Sequence, residues 1–277
     1  MRNGAAGYAY LAVTVLVWGT AYPIIDLAER YISPVMLALL RAIIGGAVLA
    51  AVARRLRGSR RLFVSGLINI GIFLVLLNLS VELSPNPSLA AVMMYTQPLF
   101  VALLSPYALG KRISPRQYAG VAVGDAGIAA VVMLAGGGLN AGILLGLLGG
   151  LVWALGTLYF ERYVSPYESD LVSATAFMSL ASAPVIAVML PLGTRFVVTA
   201  SSLLLAVYIS AVIQAVGWLT WFYGVRALGG VKAGAFSLLT PVIAIVSTSL
   251  MLHELLPIKL VVASAAVVLG ALLVQLG

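Results

Sequence analysis

The 277-residue sequence has no cysteine. That excludes a disulfide framework, thiol chemistry and any cysteine-ligated metal. Charge is scarce as well: 16 Lys+Arg and 8 Asp+Glu make up 9% of the chain, where a soluble domain carries roughly 25%. So few charges cannot cover a chain of this length in water. An ordinary soluble enzyme, a disordered chain and a nucleic-acid-binding domain are excluded together. The single histidine, His253, stands beside Glu254 at the end of an apolar run, which offers no metal site. No G-x-S-x-G, H-E-x-x-H or P-loop pattern occurs, so no catalytic constellation is visible and the chain cannot harness ATP by itself. No cofactor and no metal are expected.

What the sequence has is apolar length. Hydrophobic residues make up 62% of it, and the solvent for such a surface is the lipid bilayer. A membrane helix needs about 20 mostly apolar residues. Breaks at Pro, Gly and charge divide the chain into ten such runs, roughly 8–27, 34–53, 62–82, 88–109, 115–135, 142–163, 169–190, 201–225, 231–251 and 257–276. These are too long and too uniformly apolar for barrel strands, so the expected class is an all-α membrane protein. Every linker is short, and no soluble domain is left over.

The basic residues orient this bundle. Arg2, the five arginines from Arg54 to Arg61, Lys111, Arg112, Arg116, Arg162, Arg226 and Lys232 fall at the N-terminus or after even-numbered runs, which makes 12. Arg30, Arg195 and Lys259 fall on the other side, which makes 3. The bias predicts a multi-pass protein of the plasma membrane with both termini cytoplasmic.

The chain also echoes itself. Glu29-Arg30-Tyr31-Ile32-Ser33-Pro34 returns as Glu161-Arg162-Tyr163-Val164-Ser165-Pro166, and Tyr95-Thr96-Gln97-Pro98 corresponds to Leu238-Leu239-Thr240-Pro241. Five runs duplicated as five runs give two repeats, 1–138 and 139–277, of opposite orientation. Inverted repeats of this kind are characteristic of secondary transporters, with the substrate at the repeat interface.

With these features the sequence resembles the drug/metabolite transporter superfamily, specifically the EamA-type permeases. The resemblance rests on ten runs in 5+5 form, the early Trp18-Gly19, Arg41 in the second run, and the Pro98 and Pro241 helices. It covers essentially the whole chain. It implies a pathway lined by runs 1, 3, 4, 6, 8 and 9, and export of a small metabolite. One departure is visible: family members often carry Glu in the loops after the fourth and ninth runs, whereas here Glu254 has Lys111 as its counterpart.

Polar residues at lipid depth are costly and usually face the bundle interior. Spacing of four keeps side chains on one helix face. Thr14, Trp18, Tyr22 and Asp26 follow that spacing, as do Trp153, Thr157 and Glu161. The candidate substrate-binding residues are Trp18, Tyr22, Asn78, Tyr95, Trp153, Thr157, Gln214, Trp218, Ser237 and Thr240. For Ser and Thr the competing role is a bond to their own carbonyl one turn back. Pro98 and Pro241 each free a carbonyl near Met94 and Ser237, to serve as a substrate ligand, a hinge or a plain kink. Arg41, inside a run, needs a partner, and Glu82 is the expected one, closing an outer gate or holding the second run to the third. Asp125 is either a proton carrier or part of a helix contact with Gly120, Gly124 and Gly127. Glu29 and Glu161, at helix ends, are expected to be solvated.

Aromatic and neutral hydrogen-bonding groups dominate this set, favouring a zwitterionic or uncharged solute such as an amino acid. The expected partners are that solute, the lipid bilayer and, through Asp125 or Glu82, a proton. The alternative is a membrane-embedded lipid-handling protein or enzyme without a soluble domain. That reading needs several ionisable residues at one depth, and the sequence shows only scattered ones.

Overall fold

The computed structural model describes residues 2–83, 93–134, 140–252 and 258–277. His253, Glu254 and the linkers before Met93 and before Asn140 lie outside that set, as do the side chains of Tyr22, Asp26 and Glu82. The described residues are helical throughout, apart from turns and an isolated antiparallel bridge between Ile32 and Phe196.

In chain order the helices are α1 (Arg2–Gly19), α2 (Ala21–Glu29), α3 (Pro34–Ala53), α4 (Arg60–Gly66), α5 (Phe73–Glu82), α6 (Gln97–Leu109) and α7 (Pro115–Leu134). Then follow α8 (Ala141–Tyr159), α9 (Leu171–Ala187), α10 (Ala200–Tyr208), α11 (Gly217–Leu228), α12 (Gly230–Ser237), α13 (Leu239–Leu252) and α14 (Ile258–Leu276). Their starts are written locally. Ser59 accepts from the Leu62 amide, Asn140 from Ile143, and Asp170 from Val172 and Ser173, at 3.0–3.2 Å. Each thereby satisfies amides that the first helical turn leaves open. Gly110 (φ +65°) and Gly229 (φ +80°) end helices in the left-handed region that glycine enters without a Cβ clash.

Among the described residues, seven continuous helical stretches are long and apolar enough to cross a membrane, while Leu171–Ala187 and Ala265–Leu276 are shorter apolar helices. Three expected runs fall outside this count: 169–190, whose helix Leu171–Ala187 has 17 residues, and 88–109 and 257–276, which extend beyond the described residues. Several of the spans are interrupted. A 3₁₀ turn, Met93–Thr96, precedes α6. A turn at Leu238 separates α12 from α13. Two π-helical stretches interrupt helices, Leu67–Ile72 between α4 and α5 and Ile209–Val216 between α10 and α11, and a third, Phe160–Val164, ends α8. The interruptions recur at one spacing: Leu67 and Ser210 are 143 residues apart, as are Pro98 and Pro241.

Large apolar side chains cover the outside, among them Val52, Met133, Leu204 and Leu250. The linkers sort to two ends. At one end, Gly7 abuts Leu228, Tyr8 donates to Gln275 at 3.0 Å, Arg61 covers Tyr167 at 4.1 Å, and Arg226 donates to the Glu168 carbonyl at 2.5 Å. Both chain ends and most of the basic residues therefore share one face. At the other, the Ser33 amide donates to the Arg195 carbonyl at 2.9 Å and Arg195 donates to the Glu29 carbonyl at 2.5 Å. Between the ends, α3 packs on α9, α7 on α14, α1 on α11 and α5 on α8.

Candidate functional site

All four tryptophans meet at one place. Trp18 from α1 stands edge-on to Trp153 of α8 and Trp218 of α11, with centroids 5.7 and 5.3 Å apart. Trp221, one turn beyond Trp218, lies 5.1 Å from Trp153. Phe73 reaches Trp153 at 5.4 Å and Trp218 at 5.9 Å, and Tyr95 meets Trp153 edge-on at 5.7 Å. The tryptophans are 0–8% exposed.

Several of these rings sit beside a helix irregularity. Trp18 precedes the break between α1 and α2, Phe73 follows one π stretch, Trp218 follows another, and Tyr95 lies in the 3₁₀ turn. Irregular backbone releases polar groups for other partners. In the Ile209–Val216 π stretch the Ile213 carbonyl accepts from Trp18 Nε1 at 3.1 Å. Gly217 makes this approach possible, since a Cβ there would fall 2.2 Å from that nitrogen. At the α1–α2 break, Pro23 supplies no amide to the Gly19 carbonyl. Ser247 Oγ of α13 donates to it instead, at 3.1 Å.

In and beside the ring cluster several buried polar atoms have no hydrogen-bond partner: the indole nitrogens of Trp153 and Trp221, Asn69 Oδ1 against Gly156, and Gln97 Oε1 on the side chain that meets Thr157. Asn78 Nδ2, Thr240 Oγ1 and Gln214 Oε1, the last on a side chain set against Gly45 and Ser179, are buried and unpartnered as well. Buried polar groups are normally paired, so each such atom calls for an explanation. Together they supply both donors and acceptors, which suits a small solute carrying both kinds of group.

The expected residues divide as follows. Trp18, Tyr95, Trp153 and Trp218 come together. Thr157 lies one turn beyond Trp153, donates to the Trp153 carbonyl at 2.9 Å and accepts from Gln97 Nε2 at 3.1 Å. Gln214 faces Ser179 of α9 at 3.4 Å. Ser237 donates to the Gly234 carbonyl at 2.7 Å, the local role that competes with ligand binding. Thr240 and Asn78 are buried. Pro98 and Pro241 stand near the starts of α6 and α13, each just after a break. Arg41 is buried on α3. Both carboxylate oxygens of Asp125 are buried with no hydrogen-bond partner. The expected Arg41–Glu82 contact falls on an undescribed side chain, as does Tyr22. Trp221, Phe73, Asn69 and Gln97 are additions. Trp221 was open to recognition three residues after Trp218, and Gln97 beside Pro98.

A second feature lies on the basic face. A cavity of about 440 Å³ is lined by residues that include Lys111, Glu161, Ser165, Arg226 and Gly229. Glu161 was expected in solvent, yet its side chain is only 11% exposed. One oxygen pairs with Lys111 and the other accepts from the Gly230 amide at 2.8 Å. Beside it, Arg162 donates to the Ala108 carbonyl. The helix end brings the carboxylate inward because Gly229 and Gly230 leave room: a Cβ on either would approach its oxygens to 3.1 and 2.9 Å.

The sequence profile of the EamA-like transporter family matches residues 5–133 and again residues 140–276. The chain belongs to the EamA-like transporter family. EamA membership, with the apolar helices, makes it a multi-pass membrane protein and fits a chain that is not an enzyme. Among EamA relatives, the uncharacterized transporter YvbV of Bacillus subtilis (strain 168) is 28% identical and covers 96% of this chain and 90% of its own. A probable terminal-alkyne amino-acid exporter of Streptantibioticus cattleyicolor is 27% identical, covering 96% and 92%. A protein of solved crystal structure superimposes with TM-score 0.80 over 100% of this chain and 98% of its own, at 22% identity, which shows a shared fold.

Proposed function

We propose that this EamA-family chain moves a small zwitterionic or amphipathic metabolite, an amino acid or a related compound, across the plasma membrane by alternating access, in the direction of export. One observation carries the reading. The four tryptophans and the unpartnered polar atoms around them converge where helices from the two matched segments meet. Buried polar groups without partners are costly, and a solute that supplies hydrogen bonds to them lowers that cost. The name of the Streptantibioticus relative supports an amino-acid-like cargo.

The architecture proposed is ten spans in two inverted five-helix repeats, 1–138 and 139–277, with both termini cytoplasmic. Two features support it. The irregularities recur at the 143-residue spacing. The pairings α1 with α11 and α5 with α8 exchange when each span is replaced by its counterpart, and α3–α9 and α7–α14 map onto themselves. In this scheme Trp18, Tyr22, Asn78, Tyr95, Trp153, Thr157, Gln214, Trp218, Ser237 and Thr240 form the substrate path. Pro98 and Pro241 serve as hinges, Arg41 with Glu82 closes the outer side, and Asp125 carries a coupling proton. Purified protein in liposomes tests the function. Flux or exchange of an amino acid supports it, and failure of every amino acid, amine, nucleoside and sugar tried would overturn it.

A further inference from the structure

The cavity on the basic face is separate from the tryptophan centre and lies between the two family-matched segments. Lys111 belongs to the first, whereas Glu161, Arg226 and Gly229 belong to the second. Two polar ties join the segments here: Lys111 with Glu161, and Arg162 with the Ala108 carbonyl. Glu161 holds the tie in place, because its other oxygen is fixed by the Gly230 amide at 2.8 Å. Directly behind Gly230 sits Val101, which is fully buried and 3.4 Å from where a Gly230 Cβ would lie. On the cavity wall, Arg226 uses one guanidinium nitrogen on the Glu168 carbonyl, while its Nε is buried without a partner. The wall thus holds two cations and one carboxylate. Its volume falls in the range of small-molecule sites, roughly 300–1,000 Å³.

We propose that this cavity is an admission site for a solute bearing a carboxylate, and that the solute's carboxylate opens the gate by taking Lys111 from Glu161. The proposal rests on the transport reading above and adds the substrate class and the trigger. A carboxylate can replace Glu161 as the acceptor for the Lys111 ammonium, and the Arg226 guanidinium on the same wall adds favourable charge. An amine, an amide or a neutral sugar cannot make that exchange. No bond is formed or broken, only an ion pair is traded. The Lys111 side chain is 53% exposed, so the pair is a weak one, suited to a gate that must open on each cycle. A pair of this exposure biases an equilibrium by about threefold.

The absence of cysteine makes the test direct. Val101→Cys places one thiol behind the gate, and its labelling by a membrane-impermeant thiol reagent is followed in vesicles with the basic face outward. Acetate and L-leucine should each speed labelling about threefold, while acetamide and L-leucinamide at matched ionic strength should not. Glu161→Gln and Lys111→Gln should label fast without ligand and ignore acetate. If neither carboxylate accelerates labelling of a protein that transports in liposomes, the cavity assignment is wrong while transport stands. If carboxylates accelerate labelling but wild type moves no solute, the assignment stands and the transport reading falls.

Discussion

Gly217→Ala tests whether the tryptophan centre is held as tightly as its distances say. The new Cβ would fall 2.2 Å from Trp18 Nε1 and 2.8 Å from its Cδ1, so the ring would have to retreat by about an ångström to reach ordinary contact. It has nowhere to go, with Trp153, Trp218 and Trp221 at centroid distances of 5.3–5.9 Å. Retreat also breaks the 3.1 Å bond to the Ile213 carbonyl. Overpacking costs roughly 1–3 kcal/mol, and an interhelical hydrogen bond in a membrane protein contributes about 0.6 kcal/mol. Against this, alanine is about 1 kcal/mol better than glycine in a helix. The net expectation is a loss of about 0.6–2.6 kcal/mol, read as a fall of a few degrees in the melting temperature of detergent-purified protein. Gly4→Ala is the control, because nothing lies within 4 Å of its added Cβ. It should melt at or slightly above wild type. Gly217→Ala melting with the control would refute the packing described for Trp18.

Other outcomes follow from the same geometry. At the α7–α14 crossing a Cβ on Gly270 would lie 2.4–2.6 Å from backbone atoms of Gly124 and Gly120. Backbone cannot step aside, so Gly270→Val should abolish folded yield in size-exclusion chromatography, while the outward-facing Leu269→Val should not. Ser247→Ala removes the donor to the Gly19 carbonyl and should cost about 0.6–1 kcal/mol by melting, a loss that Ser247→Thr, which keeps the hydroxyl, should not show. Asp125→Asn keeps the shape and removes the charge. Its melting should equal or exceed wild type, because no partner is lost. If Asp125 carries the coupling proton, flux should no longer respond to a pH gradient.

Membrane class, short linkers and the positions of most helices were legible because they follow from local properties: apolar runs, Pro, Gly and capping residues. Trp18, Trp153 and Trp218 were found because spacing along a helix marks one face. Trp221, three residues after Trp218, carries the same signal of a shared face, whereas Phe73 takes its meaning only from rings on distant helices. The π stretches at Leu67–Ile72 and Ile209–Val216 carry no local signature, since bonds lost along the helix are replaced by tertiary partners such as Trp18. Glu161 shows the same limit in the other direction. A charge at a helix end reads as solvated, and only the approach of Lys111 and Gly230 from separate segments reveals it as a tie.

The central claim, that the unpartnered groups around the tryptophans receive a solute, is tested most directly by ligand-dependent melting of wild type beside Trp153→Phe and Trp221→Phe. A ligand at 100 times its Kd should stabilise wild type by about 2.7 kcal/mol. Both variants keep a ring and lose an indole N–H that has no partner in the protein; each also leaves a small cavity in a fully buried cluster, so melting without ligand should fall by about 1–2 kcal/mol and the ligand-dependent shift is the readout. Their affinity should fall about tenfold, the equivalent of one hydrogen bond of about 1.4 kcal/mol. Variants that respond to the ligand as wild type does would contradict the claim.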